Sequence, residues 1–305
     1  MPAHVDCVAH TSRWPSRGFI RRLLSCYAAA RCRGDVNHIT GDVHYLALGL
    51  DGPRTLLTIH DCVSLERLSG LKRALLRWFW YEAPIRRVAM VSVVSESSRR
   101  ELLRLTNCDP SKVRTIHNCI GEEFVPSEKV FSTVEPVFLQ VGTGKNKNFE
   151  RTIPALAGLR CRLKLIGKLN GEQLELLKDC GIRYTNVPQA TDVELVEAYR
   201  QSDIVLFAST YEGFGLPIVE ANATGRAVLT SNLLSMPEVA GESACLVDPF
   251  DVGAIRAGVL KMLNGGGYRN HLIEAGLQNA KRFTAGRIAA QYAGLYEEII
   301  AAQAV

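Results

Sequence analysis

Residues 203–225 read "DIVLFASTYEGFGLPIVEANATG", and three kinds of local structure follow one another in that stretch. "DIVLFAS" is short and almost wholly apolar, which suits a strand covered on both faces. "TYEGFG" brings two glycines together and marks a turn. "LPIVEANAT" predicts a helix over 216–224. Pro217 fits its first turn, where the missing N–H would have no partner, and Gly225 closes it. An apolar strand feeding a helix through a tight turn is the repeating unit of a parallel α/β sheet.

The same unit recurs outward in both directions. Strands are predicted at 35–40, 54–60 and 88–95 in the first half, with "VDCVAH" (5–10) as a further candidate near the start. In the second half they are predicted at 136–141, 161–166, 182–187, 203–208 and 227–231. Helical spacing falls between them at 68–83, 95–106, 148–158, 171–180 and 191–201, and three consecutive helices follow residue 251. A polar stretch without periodicity, "GEEFVPSEKVFSTVE" (121–135), separates the halves. The expected architecture is therefore two Rossmann-like, doubly wound α/β domains, 1–125 and 126–305. Ligands of such folds bind at the carboxyl ends of the strands, in a cleft between the two sheets.

Composition narrows the class. With 47% hydrophobic and 22% charged residues the chain has apolar side chains enough for two cores. It has no apolar run long enough to span a bilayer and no signal-peptide layout. Nine cysteines without a C-x-x-C pair argue for reduced thiols, hence a cytoplasmic setting, and against a disulfide framework or zinc. Residues 1–125 carry 18 Lys+Arg against 12 Asp+Glu, whereas residues 126–305 carry 18 against 19. The excess reads as solvated helix faces or as a surface for an anionic partner, such as a membrane or a phosphate-bearing acceptor. Nucleic acid is not expected, because the basic residues are not interleaved with exposed-looking aromatics and no recognition module is visible.

The quoted stretch also carries chemistry. Gly213 and Gly215 let backbone approach a ligand, and the helix start is an anion site. Glu220, one turn into the helix, can accept two hydrogen bonds from a vicinal diol, and Glu212 can face the other end of the same ligand. A nucleoside diphosphate sugar makes those demands in that order. Taken alone, Glu220 could equally complement the helix dipole, and the glycines could simply end a strand.

Residues 209–255, "STYEGFGLPIVEANATGRAVLTSNLLSMPEVAGESACLVDPFDVGAI", resemble the signature of the group 1 glycosyltransferases, the retaining nucleotide-sugar-dependent enzymes of family 4. The likeness extends through "FLQVGTGKNKNFERTIPAL", "LKLIGKL", "DVNHITGDVHYLALGL", "TLLTIHD" and "VSVVSESSRRELLRL". It implies the GT-B fold, with the donor on the C-terminal domain and a glycan or lipid-linked acceptor on the N-terminal one. The reaction implied is sugar transfer from a nucleotide-diphosphate donor in cell-surface polysaccharide or glycolipid synthesis. The other reading is a nucleotide-sugar-binding paralogue or subunit without turnover.

Carried over by position, Glu220 would hold the ribose hydroxyls and Glu212 the donor sugar. Gly213, Phe214, Gly215 and Leu216 would line the sugar and phosphates. Lys147 would neutralise the diphosphate, with Gly142 in the same loop. Gly167 and Val187 would line the nucleoside pocket, and His60 would reach the transferred sugar. The resemblance implies no cofactor beyond the nucleotide-sugar co-substrate. No D-x-D occurs, so no metal is expected. Two departures stand out. Thr143 occupies a place where many relatives carry an arginine. The usual first strand and glycine-rich loop are not recognisable, so an incomplete N-terminal domain is expected.

Overall fold

The computed structural model describes residues 5–32 and 34–303. The chain divides into two compact units, Met1–Asn118 with Gly286–Val305, and Cys119–Ala285. The sequence boundary at 125/126 thus lies a few residues late, and the final helix groups with the first unit rather than the second.

The first unit contains α1 (Phe19–Ala29), β1 (Asn37–Ile39), β2 (Thr55–Ile59), α2 (Val63–Glu66), α3 (Gly70–Leu76), α4 (Ala83–Arg87), β3 (Met90–Val93), α5 (Glu96–Leu105) and β4 (Val113–Thr115). Its parallel sheet runs β1-β2-β3-β4, with no reversal of order among the described strands. Residues 5–10, a candidate strand by sequence, form none. Their short apolar run imitates a strand, but they lie almost entirely exposed and pair with no neighbour in the sheet. The helix predicted over 68–83 is broken into α3, a π-helical turn Arg77–Glu82 and α4. Pro84 has no N–H for the carbonyl of Trp80, and His44 Nδ1–H donates to that carbonyl instead, at 2.9 Å. Helix α5 starts where expected, with the Ser95 side chain accepting from the Ser98 amide.

The second unit contains β5 (Val137–Val141), α6 (Phe149–Leu156), β6 (Arg162–Ile166), α7 (Gly171–Asp179), β7 (Arg183–Val187), α8 (Asp192–Gln201), β8 (Ile204–Phe207), α9 (Leu216–Thr224), β9 (Ala227–Ser231), α10 (Met236–Ala240), β10 (Ala244–Val247), α11 (Val252–Asn264) and α12 (Gly266–Ala280). Its six parallel strands run β10-β9-β8-β5-β6-β7. Counted from the first strand of the unit, this is the 3-2-1-4-5-6 order of a dinucleotide-binding sheet, with its reversal between β5 and β8. Ile204, Leu206 and Ala208 join one core cluster with Ile153, Leu177 and Val259. Val205 and Phe207 are equally buried on the opposite face. Both faces of β8 are therefore covered, which is why its sequence shows no polar alternation.

The last helix, α13 (Ala285–Ala301), places Ile288, Leu295 and Ile299 against Leu56 and Ile116 of the first unit. All nine cysteines are free.

Candidate active site

The reversal of strand order puts the loop after β5 beside the loop after β8. Their backbones are stitched together. The Thr210 amide donates to the Asn146 carbonyl at 2.8 Å, and Asn146 Nδ2 donates to the Tyr211 carbonyl at 3.1 Å. Asn148 locks the joint. It adopts left-handed backbone (φ 59°), is fully buried, and its Nδ2 donates to the carbonyls of Ala208 (2.9 Å) and Pro249 (2.6 Å). Asparagine is one of the few side chains that tolerate this backbone region and carry a donor for such a bridge. Replacing Asn148 by Ala strands two buried carbonyls and is expected to cost about 2–4 kcal/mol, read as a fall in the urea-unfolding midpoint.

The clamp brings Lys147 to Glu212. Lys147 Nζ donates to Glu212 Oε1 at 2.7 Å, and Asn146 Nδ2 donates to the same oxygen at 3.1 Å. The pair is mostly shielded, with side-chain exposures of 20% and 16%. The ammonium also sits 4.8 Å from the centre of the Phe207 ring, on the face of β8 away from the main cluster. Ser235 Oγ donates to the Glu212 carbonyl at 2.9 Å and fixes the turn from the other side.

The glycines make room. Gly142 has φ +87°, and a Cβ there would meet Lys147 Cε at 2.9 Å. Gly167 (φ +130°) lies against the Thr143 side chain. The Gly142 amide donates to Ile166, and the Gly167 amide to Val187 at 2.9 Å, so Gly142, Gly167 and Val187 form a row along the carboxyl ends of β5, β6 and β7. Thr143 ties its Oγ1 to the Lys168 carbonyl at 2.7 Å.

Helix α9 begins after Gly215 (φ +113°), with no side-chain cap and Pro217 in its first turn. Phe214 is buried and packs edge-on against Phe283, with ring centres 5.5 Å apart. What it can offer a ligand is backbone. Glu220, one turn into α9, accepts a hydrogen bond from the Tyr199 hydroxyl at 2.5 Å. Burial raises the Glu220 pKa above the usual carboxylate range, against opposing pulls from the Tyr199 hydrogen bond and the charge of Lys147. Tyr199 is fully buried and is pushed well above 10 by that burial and by Glu220.

Of the residues singled out by sequence, the second unit thus gathers Gly142, Lys147, Gly167, Val187, Glu212, Gly213, Phe214, Gly215, Leu216 and Glu220 at one end of its sheet. His60 belongs to the first unit. There it follows β2, and its Nε2–H donates to the Thr40 carbonyl at 2.7 Å. Sequence reasoning missed Asn146, Asn148 and Tyr199. An asparagine beside a lysine in a glycine loop is a signal for left-handed backbone, but nothing in the sequence pairs Tyr199 with Glu220.

The profile of the family described as "Glycosyl transferases group 1" matches residues 122–279. The chain belongs to this glycosyltransferase family. A second profile, "Glycosyltransferase Family 4", matches residues 5–124. Among curated relatives of the glycosyltransferase, the O-antigen chain mannosyltransferase B of Escherichia coli is 29% identical over 219 residues, covering 64% of this chain and 57% of the relative. The serotype-specific mannosyltransferase WbdA of Escherichia coli is 28% identical over 260 residues, covering 76% of this chain and 32% of WbdA. The chain therefore spans little more than half of the first relative and about a third of the second.

Solved structures show the same fold. Sucrose-phosphate synthase of Thermosynechococcus elongatus superimposes with a TM-score of 0.78 at 20% identity, covering 93% of this chain and 78% of that one. Anabaena HepE, crystallised with UDP and glucose, gives 0.79 at 16% identity, covering 92% and 82%. The fold is the α/β GT-B class, with two parallel sheets.

Proposed function

We propose that this glycosyltransferase moves a sugar, with retention, from a nucleoside diphosphate sugar to a glycan or lipid-linked acceptor. The observation that carries the reading is the Lys147–Glu212 contact at the start of α9, with Glu220 close enough to feel the lysine's charge. Breaking the glycosidic bond leaves new negative charge on the diphosphate, and catalysis needs positive potential aimed at that oxygen. Lys147 and the start of α9 supply it. Glu212 holds Lys147 in place before the donor arrives and then faces the hydroxyls of the transferred sugar. Glu220 takes the ribose diol, and Gly167 and Val187 line the base side. His60, at the carboxyl end of β2, is the proposed partner of the transferred sugar from the first unit.

The relatives' names include mannosyl transfer and O-antigen synthesis, so a mannosyl donor and a surface polysaccharide acceptor are the first to try. Thermal-shift measurements with UDP, GDP and ADP test the binding half. Stabilisation by one of them supports the reading, and none by any of the three contradicts it. Donor consumption then tests transfer.

Because a lysine and backbone amides carry the charge, turnover is expected to survive chelation by EDTA unchanged. Loss of activity on chelation, restored by magnesium or manganese, would show that the charge comes from elsewhere.

A further inference from the structure

One oxygen of Glu220 is taken from the interior side. Tyr199, on the last turns of α8, has no exposed surface, and its hydroxyl ends 2.5 Å from Glu220 Oε2. Glu220 itself is only partly buried, so the rest of its carboxylate still reaches the surface. A buried tyrosine must find a partner for its hydroxyl. Here that partner is the carboxylate at the ribose end of the donor site.

The hydroxyl is fixed in place from two directions. The Tyr199 ring meets Phe124 edge-on, with centres 5.6 Å apart and planes at 84°. The Tyr199 carbonyl accepts from Arg226 Nε at 3.0 Å. The same guanidinium, on a residue 3% exposed, donates to the carbonyls of Arg200 at 2.8 Å and Thr224 at 3.0 Å. Carbonyls at a helix end have no partner within the helix, and Arg226 satisfies those of α8 and α9 together. It thereby sets the distance between the two helices, and with it the reach from Tyr199 to Glu220.

The last torsion of a glutamate is broad when nothing holds it. A carboxylate has about four lone-pair sites, and Tyr199 takes one of them on Oε2. The remaining edge can accept both hydroxyls of a diol at once, provided that the carboxylate plane is fixed. The groups that face Glu220 are Tyr199 from α8, Lys147 from the loop after β5, and Glu123 from the segment before β5. Tyr199 and Lys147 favour the charged carboxylate, whereas burial and Glu123 oppose it. Burial and Glu220 hold Tyr199 itself well above 10, so it stays a donor across ordinary pH.

We propose that Tyr199 is a positioning residue of the donor site: its hydroxyl fixes the plane of the Glu220 carboxylate so that the free edge meets both hydroxyls of the donor ribose. This role rests on the reading of Glu220 as the group that takes the ribose diol. Tyr199 touches no ligand, yet it sets how well ribose is told from a sugar lacking the diol.

The test removes one oxygen. Tyr199→Phe keeps the ring against Phe124 and deletes the hydroxyl. UDP, GDP and ADP, each beside its 2′,3′-dideoxy counterpart, are titrated calorimetrically into wild type and variant. For whichever base binds, wild type should hold the dideoxy form about tenfold or more weaker. In Tyr199→Phe the ribose form should lose about five- to tenfold and the dideoxy form less than about twofold. A side chain that only filled the core would weaken both forms alike. A readout without ligand follows the Glu220 carboxyl carbon by NMR, assigned by its disappearance in Glu220→Gln. Its titration midpoint should move to higher pH in Tyr199→Phe, because the bond that favoured the charged form is gone. The acid limb of nucleotide binding should move up with it. Phe124→Leu loosens the ring and keeps the hydroxyl. It should show the same pattern in milder form, and it carries the test if Tyr199→Phe does not fold.

Equal losses for the ribose and dideoxy forms, no loss for either, or an unmoved Glu220 midpoint overturns the proposal. Those results leave the donor reading intact where wild type prefers the ribose form. Wild type that binds both forms equally, or binds none of the three diphosphates, contradicts the reading of Glu220 and takes this role with it.

Discussion

Lys147→Ala is expected to slow sugar transfer by about ten- to hundredfold or more while the protein stays folded. A charge-assisted hydrogen bond to the departing diphosphate is worth about 1.5–3 kcal/mol, and each 1.4 kcal/mol is about tenfold in rate. The loss belongs in kcat rather than KM to the extent that the new charge exists only in the transition state. Stability should change little. Lys147 gives up one partner, and Glu212 retains the 3.1 Å hydrogen bond from Asn146. Lys147→Arg keeps the charge but brings a larger, planar head to a place that Gly142 leaves narrow, where a Cβ would already crowd the lysine side chain. Partial activity is expected there. Single-turnover donor consumption by the two variants separates loss of charge from loss of fit.

Glu220→Gln is expected to pull stability and binding in opposite directions. The folded pKa of Glu220 is raised by burial. Its contribution to stability is therefore whole below the ordinary carboxylate value and is lost as pH rises through the raised one. At neutral pH an ionised Glu220 is a cost. Glutamine removes that cost and still accepts from Tyr199, so the apo variant should melt at the same temperature as wild type or higher. Nucleotide-sugar affinity should fall by about ten- to hundredfold, because two charge-assisted hydrogen bonds to the ribose diol lose their charge. The same linkage gives a pH signature. Wild-type affinity for the intact nucleotide sugar should weaken as pH falls through the raised Glu220 value, whereas Glu220→Gln should show no such acid limb. Calorimetric titration across the acid range measures both. Loss of apo stability in Glu220→Gln would instead mean that the carboxylate is structural.

The second unit was the more legible from sequence because its strands are apolar on both sides and its helices carry their own punctuation. Helix α9 runs over Leu216–Thr224 as predicted, since Pro217 and Gly225 mark its ends. Strand β10, Ala244–Val247, is short and built partly of small residues, so it showed no period of its own. Strand β4 is three residues long with an arginine at its centre. The stretch 5–10 misled because a short apolar run does not supply the neighbour that a strand must pair with.

At the site, residue types with a fixed chemical task could be read one by one. Partnerships made across the sheet could not. The Lys147–Glu212 contact depends on the reversal between β5 and β8, and the Tyr199–Glu220 contact on how α8 meets α9. By sequence, no exposed-looking aromatics stand among the arginines of residues 13–33 and 67–77. In the structure Phe19, Tyr27 and Trp78 stand about half or more in solvent.

The central claim is that one end of the second unit's sheet forms a single donor site, with Glu220 governing nucleotide affinity and Lys147 and Glu212 governing transfer. The most direct measurement pairs calorimetric affinity for the stabilising nucleoside diphosphate with donor turnover in Glu220→Ala and Glu212→Ala. The account predicts that Glu220→Ala loses affinity by about tenfold or more, and that Glu212→Ala binds nearly as wild type yet loses turnover. Equal losses of affinity in both variants, or unchanged turnover in Glu212→Ala, would contradict it.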